Sequence, residues 1–265
     1  MSRDKVRSML LERVEEWRFA NIEQVEQGHT QSAYRLSLGG RRALFKYEES
    51  NRSPFKISRH DEAEIQRLAA SEGLAPGVYY VDDDCLLTEY IDARVLEESD
   101  FHDEEMLVRI GLRLRELHAL PLCGQRFNGM AAAAYYATHA PDQKTAERCL
   151  AAVAALPWES AELAFCHNDL AMGNLLVDDE IRFIDWEYAC DNSPLFDVAT
   201  VIAHHRLNAR ETVVLAEAYF GTCSDDHLAR LAIYERAYHA LHWLWIAARD
   251  PGDRKLNQLA AEVSF

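Results

Sequence analysis

The apolar pattern of this chain changes period once, near Asp92, and that change divides the fold into a strand-rich part and a helical part. Residues 32–38 and 42–48 read as strands, and Gly39-Gly40 between them tolerates the positive φ that closes a tight hairpin. Over 61–71, Ile65, Leu68 and Ala69 fall on one face of an expected helix, which Gly73 and Pro76 end. Residues 78–81 and 85–91 read as two more strands around Asp82-Asp83-Asp84. Beyond Asp92, Met106, Ile110, Leu114 and Leu117 recur at intervals of three and four, with Asp100 as the expected N-cap. Ala-rich stretches at 131–137 and 145–156, and then 211–248, extend the helical pattern. The expected fold class is α+β and two-lobed: a strand-rich N-lobe over 1–91, a helical C-lobe over 92–265, and a ligand site in the interlobe cleft.

Composition removes several function classes. A net charge of −16 over 265 residues argues against a nucleic-acid partner, because phosphate backbones recruit basic patches. The same charge mildly favours a cationic small substrate. The six cysteines are scattered without a C-x-x-C pair, so neither a zinc site nor a disulfide framework is expected. The N-terminus is charged and reads as helical, without an apolar signal segment, and no apolar run approaches ~20 residues. The expectation is a cytoplasmic protein with reduced thiols and no membrane contact; the oligomeric state is not legible.

Two adjacent segments carry the chemistry. His167-Asn168-Asp169-Leu170-Ala171-Met172-Gly173-Asn174 is followed by Phe183-Ile184-Asp185-Trp186-Glu187. Phosphoryl transfer from a Mg-nucleotide needs one carboxylate to orient the attacking hydroxyl, plus an amide oxygen and a second carboxylate to hold metal. Those are the hard oxygen ligands that Mg²⁺ selects. Asp169, Asn174 and Asp185 supply that set.

With these residues in view, the chain resembles the choline/ethanolamine kinase and aminoglycoside phosphotransferase superfamily, from about Gly28 to Trp245. The sharpest matches are H-N-D-L-x-x-x-N at 167–174, I-D-W-E-Y-A at 184–189 and F-D-V-A at 196–199. The resemblance implies a protein-kinase-like fold and ATP with Mg²⁺. It makes Asp169 the catalytic base, or the residue that orients the acceptor hydroxyl, and Asn174 and Asp185 the metal ligands. His167 and His118, the latter in L-H-A-L-P at 117–121, are expected to be structural.

Lys46 lies on an otherwise apolar strand, where a buried ammonium needs partners. The family uses such a lysine on the α/β-phosphates and a helix glutamate to hold it. Glu62 is the expected glutamate, one turn before Ile65, with Glu64 as the fallback. Gly28, Thr30 and Ser32 resemble the family's phosphate loop, and the main chain at Glu89 and Ile91 resembles the hinge that receives adenine. Tyr188, Trp243 and Trp245 are the aromatic candidates for the acceptor, since ring faces attract cations. Trp243 and Trp245 are about 200° apart on a helix and cannot both face one ligand. The sequence departs from choline kinases in two places. His242 stands where the W-x-x-W pattern has its first tryptophan, and Thr200-Val201 stands where eukaryotic members have Asn-His. The implied partners are ATP and a small hydroxyl-bearing cation, choline or ethanolamine first. Thiamine, an aminoglycoside and a non-catalytic nucleotide-binding role are the alternatives.

Overall fold

Capping and turn chemistry set most element boundaries in the computed structural model, which describes residues 2–25, 32–48, 55–158 and 161–263. Helix α1 (Arg3–Arg13) begins where the Ser2 side chain accepts from the Lys5 amide. Strands β1 (Asn21–Val25), β2 (Ser32–Leu38) and β3 (Arg41–Tyr47) follow. Gly39 and Gly40, at φ 56° and 82°, make the β2–β3 turn that the Gly-Gly pair predicts. Helix α2 (Arg59–Ser71) is capped by Ser58, and β4 (Val78–Val81) and β5 (Cys85–Glu89) complete an antiparallel sheet of order β1-β2-β3-β5-β4.

After the two-residue strand β6 (Arg94–Val95), α3 (Glu104–His118) starts three residues later than Asp100 would place it. Asp103 is its cap, accepting from the Met106 amide at 2.8 Å. Asp100 instead accepts from the Glu97 amide in the 3-10 turn Glu98–His102. Helices α4 (Gly129–His139) and α5 (Gln143–Ala154) cover the Ala-rich stretches. Four short strands come next: β7 (Ala164–Cys166), β8 (Leu175–Val177), β9 (Ile181–Phe183) and β10 (Cys190–Asn192). Then come α6 (Pro194–His204), α7 (Ala209–Phe220), α8 (Asp225–Arg249) and α9 (Lys255–Glu262). The helical run expected over 211–248 is thus two helices: Gly221 at φ 83° closes α7 and Ser224 caps α8.

The chain forms two compact units. The first is Met1–Arg94 with Leu176–Tyr188, so the Asp185 segment belongs with the sheet and α2 although it lies far beyond 1–91 in sequence. Backbone pairing explains this: the Phe183 amide donates to Leu74 O at 2.8 Å and the Ile57 amide to Glu187 O at 3.0 Å. One face of the sheet buries Tyr34, Leu36, Phe45 and Leu87 with Leu10 and Trp17 from the N-terminal segment. The second unit is Val95–Leu175 with Ala189–Phe265. In it α4, α5, α6 and α9 pack on α8, and α3 packs on α7. Among the described residues, no helix is long and apolar enough to cross a membrane.

Candidate active site

In the second unit, β7 delivers its last apolar residue, Cys166, into the loop that carries Asp169. Asn168 takes φ 61°, a conformation asparagine tolerates better than most residues. Its side-chain oxygen accepts from Asn192 Nδ2 at 2.7 Å, and its side-chain amide donates to Cys190 O at 3.3 Å. The loop backbone is gripped by Asp197, fully buried in the first turn of α6. One carboxylate oxygen accepts from the His167 amide at 2.7 Å and the other from the Asn168 main-chain amide at 2.8 Å. Donors aimed at both oxygens offset the burial of that charge. His118 braces the same carboxylate: its Nε2 lies 3.1 Å from Asp197 Oδ2, and its Nδ1 lies 2.8 Å from the Tyr219 hydroxyl. The structural part expected of His118 is therefore to hold Asp197.

His118, Cys166 and Asp197 stand close enough to share an ion. Their chemistry favours a brace instead. Both Asp197 oxygens are engaged by main-chain donors, and burial raises the Cys166 thiol well above its ordinary value, keeping it protonated.

Asn174 joins Asp169 across the same loop. Its amide nitrogen donates to Asp169 O at 2.8 Å and to Asp169 Oδ2 at 3.1 Å. With the NH₂ group engaged there, the Asn174 carbonyl oxygen is the atom left to act as a hard donor.

In the first unit, β9 leads to Asp185, which takes φ 70°. The Lys46 ammonium lies 2.9 Å from Asp185 Oδ1, with the lysine buried and the Asp185 side chain about one-third exposed. Burial opposes the Lys46 charge, but Asp185 and then Glu62 outweigh it and raise the lysine above its ordinary value. Glu62 is fully buried and takes a 2.6 Å ion pair from Arg59, while Glu64, the fallback, is exposed. Lys46 therefore has Asp185 as its close partner, with the Glu62 charge acting beside it.

The other candidates fall in place as follows. Gly28 and Thr30 lie outside the described residues; Ser32 opens β2. Glu89 ends β5, its amide donating to Gly77 O at 2.7 Å, and Ile91 is half-buried. Tyr188, half-buried, closes the first unit's second segment. Trp243 is buried and donates from Nε1 to Leu256 O at 3.2 Å, on the side of α8 that packs against the first turn of α9. Trp245 is half-buried, with the Arg249 guanidinium 4.4 Å from its ring centroid, so one ring face already holds a cation.

Sequence reasoning missed a stripe on α8. Glu235, Tyr238, His242 and Trp245 recur at three, four and three residues, the spacing of one helix face, and all are half-buried. Tyr238 is close enough to Asp169 for that carboxylate to add to the burial that raises its hydroxyl. His204 from α6 lies 2.6 Å from the Tyr238 hydroxyl and stacks with His242 at 5.8 Å. Burial lowers both imidazoles to about 4, so they are neutral hydrogen-bonding groups at neutral pH. Burial alone raises Glu235. The three-four-three spacing was the available signal; it was hidden because, of the four, only Trp245 belongs to a recognisable motif.

The LicA protein of Haemophilus influenzae is 36% identical over 109 residues, covering 36% of this chain and 41% of that protein. The chain thus spans less than half the length of this curated relative. Among solved structures, the choline kinase LicA from Streptococcus pneumoniae superposes with TM-score 0.80 at 18% identity, covering 98% of this chain and 99% of that one. A choline/ethanolamine kinase family protein from Mesorhizobium loti gives TM-score 0.77 at 24% identity, with coverage of 100% and 96%. These likenesses show the protein-kinase-like fold. The phosphotransferase enzyme family matches residues 21–234, and this chain belongs to it.

Proposed function

We propose that this protein is an ATP- and Mg²⁺-dependent kinase that phosphorylates the hydroxyl of a small cationic alcohol, choline first and ethanolamine next. The observation that carries the reading is the Asp169–Asn174 pair, with its loop fixed from behind by Asp197. Family membership and the likeness to proteins named choline kinase support it.

Asn174 and Asp185 would hold Mg²⁺, and their amide and carboxylate oxygens fit that ion. Bound there, the ion neutralises charge on the nucleotide's phosphates. Lys46, kept protonated by Asp185 and Glu62, adds positive charge for the α/β-phosphates. Gly28, Thr30 and Ser32 would supply the phosphate loop, and the main chain at Glu89 and Ile91 would receive adenine. Asp169 accepts the hydrogen bond of the acceptor hydroxyl. As that oxygen bonds to the γ-phosphorus and the bond to the ADP oxygen breaks, the hydroxyl proton passes to Asp169. Asn174 keeps the Asp169 carboxylate in one orientation, so no reorganisation is needed at that step.

On the acceptor side, Tyr188 and Trp245 remain the aromatic candidates. The α8 stripe adds Tyr238, which senses the Asp169 charge, and Glu235, an acid suited to a cationic head group.

The test is Asp169→Ala. Turnover of choline should fall by roughly 10³-fold or more, with the circular-dichroism spectrum and melting temperature close to wild type. Activity near wild type in that variant removes Asp169 from the chemistry.

A further inference from the structure

Asp185 is the non-glycine residue of the first unit with a positive φ among those described, at 70°. A left-handed conformation there is unfavourable unless its neighbours over-determine it. On the upstream side, the Phe183 amide is bound to Leu74 O, and Trp186 Nε1 donates back to Phe183 O at 3.2 Å. On the downstream side, one short segment does the holding. The Ile57 amide donates to Glu187 O, and the Lys56 ammonium, one residue earlier, reaches the Glu187 carboxylate at 2.8 Å. Lys56 also lies 2.8 Å from Glu48 Oε1, just past the end of β3, the strand that carries Lys46. The Lys56 side chain is 1% exposed, against 8% for Glu48 and 7% for Glu187. Arg59 ties the other Glu48 oxygen at 3.3 Å and also pairs with Glu62.

A lysine buried between two carboxylates is costly to desolvate, and a purely apolar filling would satisfy packing as well. What an apolar residue could not do is fix the distance between the end of β3 and the backbone two residues after Asp185. We propose that Lys56 is a positioning residue: by joining Glu48 to Glu187 it holds Asp185 in its left-handed conformation, with the carboxylate presented for a divalent cation. This rests on the reading of Asp185 as a metal ligand. It extends that reading to a residue that touches neither nucleotide nor acceptor.

The experiment uses full-length protein with a non-hydrolysable ATP analogue and Mn²⁺ as a paramagnetic stand-in for Mg²⁺. Metal affinity is read by electron paramagnetic resonance, and the Mg²⁺ concentration for half-maximal rate is read with ATP and choline. Lys56→Met leaves two buried carboxylates without their ammonium, so the charge-balanced pair Lys56→Met with Glu48→Gln is made beside it. In that pair the side-chain amide introduced at position 48 keeps an oxygen for Arg59. The expected result is about tenfold weaker Mn²⁺ binding and a matching rise in half-saturating Mg²⁺, with the choline KM unchanged. Metal affinity within twofold of wild type in either folded variant overturns the proposal. Loss of fold in both variants also overturns it, because Lys56 is then part of the first unit's framework without a particular action on Asp185. A wild-type protein with no metal-dependent transfer would overturn the kinase reading, and this proposal with it. An active wild type beside indifferent variants overturns this proposal alone.

Discussion

At the residue scale the second unit keeps three imidazoles neutral. His204, His205 and His242 are lowered to about 4, burial being the first cause in each, with the neighbouring histidine adding to it for His204 and His242. The ordinary histidine value is about 6.5. Above it both folded and unfolded chains carry neutral rings, and stability does not depend on these groups. Between about 6.5 and 4 the unfolded chain takes up protons that the folded chain refuses, so stability falls as pH falls through that window. Each ring contributes on the order of 2 kcal/mol. Thermal melting from pH 7 to 4.5 should show a steep decline in wild type and a shallower one in His242→Gln. An identical slope in the two would contradict the burial account. Asp169, Asn174 and Asp185 were legible because their spacing along the chain is itself the pattern. His204, Tyr238 and Lys56 were not. Their partners come from other elements, and a single residue type such as lysine gives no sign that it will be buried between Glu48 and Glu187.

At the element scale, α3 and α7 make a close helix contact. A Cβ built at Gly111 would stand 2.7 Å from Ala218 Cβ and 3.0 Å from Leu215 O, so this glycine lets the two helices approach. Gly111→Ala must push α7 away, and should destabilise the protein by roughly 1–3 kcal/mol in spite of alanine's better helix propensity. Urea unfolding checks this; a neutral or stabilising result would mean that α7 moves freely. Elements announced by local chemistry were readable in advance: the Gly39-Gly40 hairpin, the helix α2 ahead of Gly73, and the Ala-rich α4 and α5. Boundaries with two qualified candidates were not. Asp100 and Asp103 are both good caps, and only the 3-10 turn that contains Asp100 decides which one starts α3. The break at Gly221 was likewise obscured, since a single glycine inside a helical pattern is often tolerated.

At the scale of the whole molecule, the change of pattern near Asp92 falls close to Arg94, where the first unit's opening segment ends. It could not show that Leu176–Tyr188 returns to that unit. The return depends on main-chain bonds to Leu74 and Ile57, which leave no trace in composition. It puts Asp185 beside Lys46 and leaves Asp169 and Asn174 on their own braced loop. The central claim, phosphoryl transfer to a small cationic alcohol, is tested most directly by phosphorus NMR of the protein with ATP and Mg²⁺. Choline, ethanolamine, thiamine and an aminoglycoside are supplied in separate arms. The account predicts a new phosphomonoester resonance, fastest with choline and lost when the metal is chelated. ATP unchanged in every arm, or ADP appearing with inorganic phosphate alone, would contradict it.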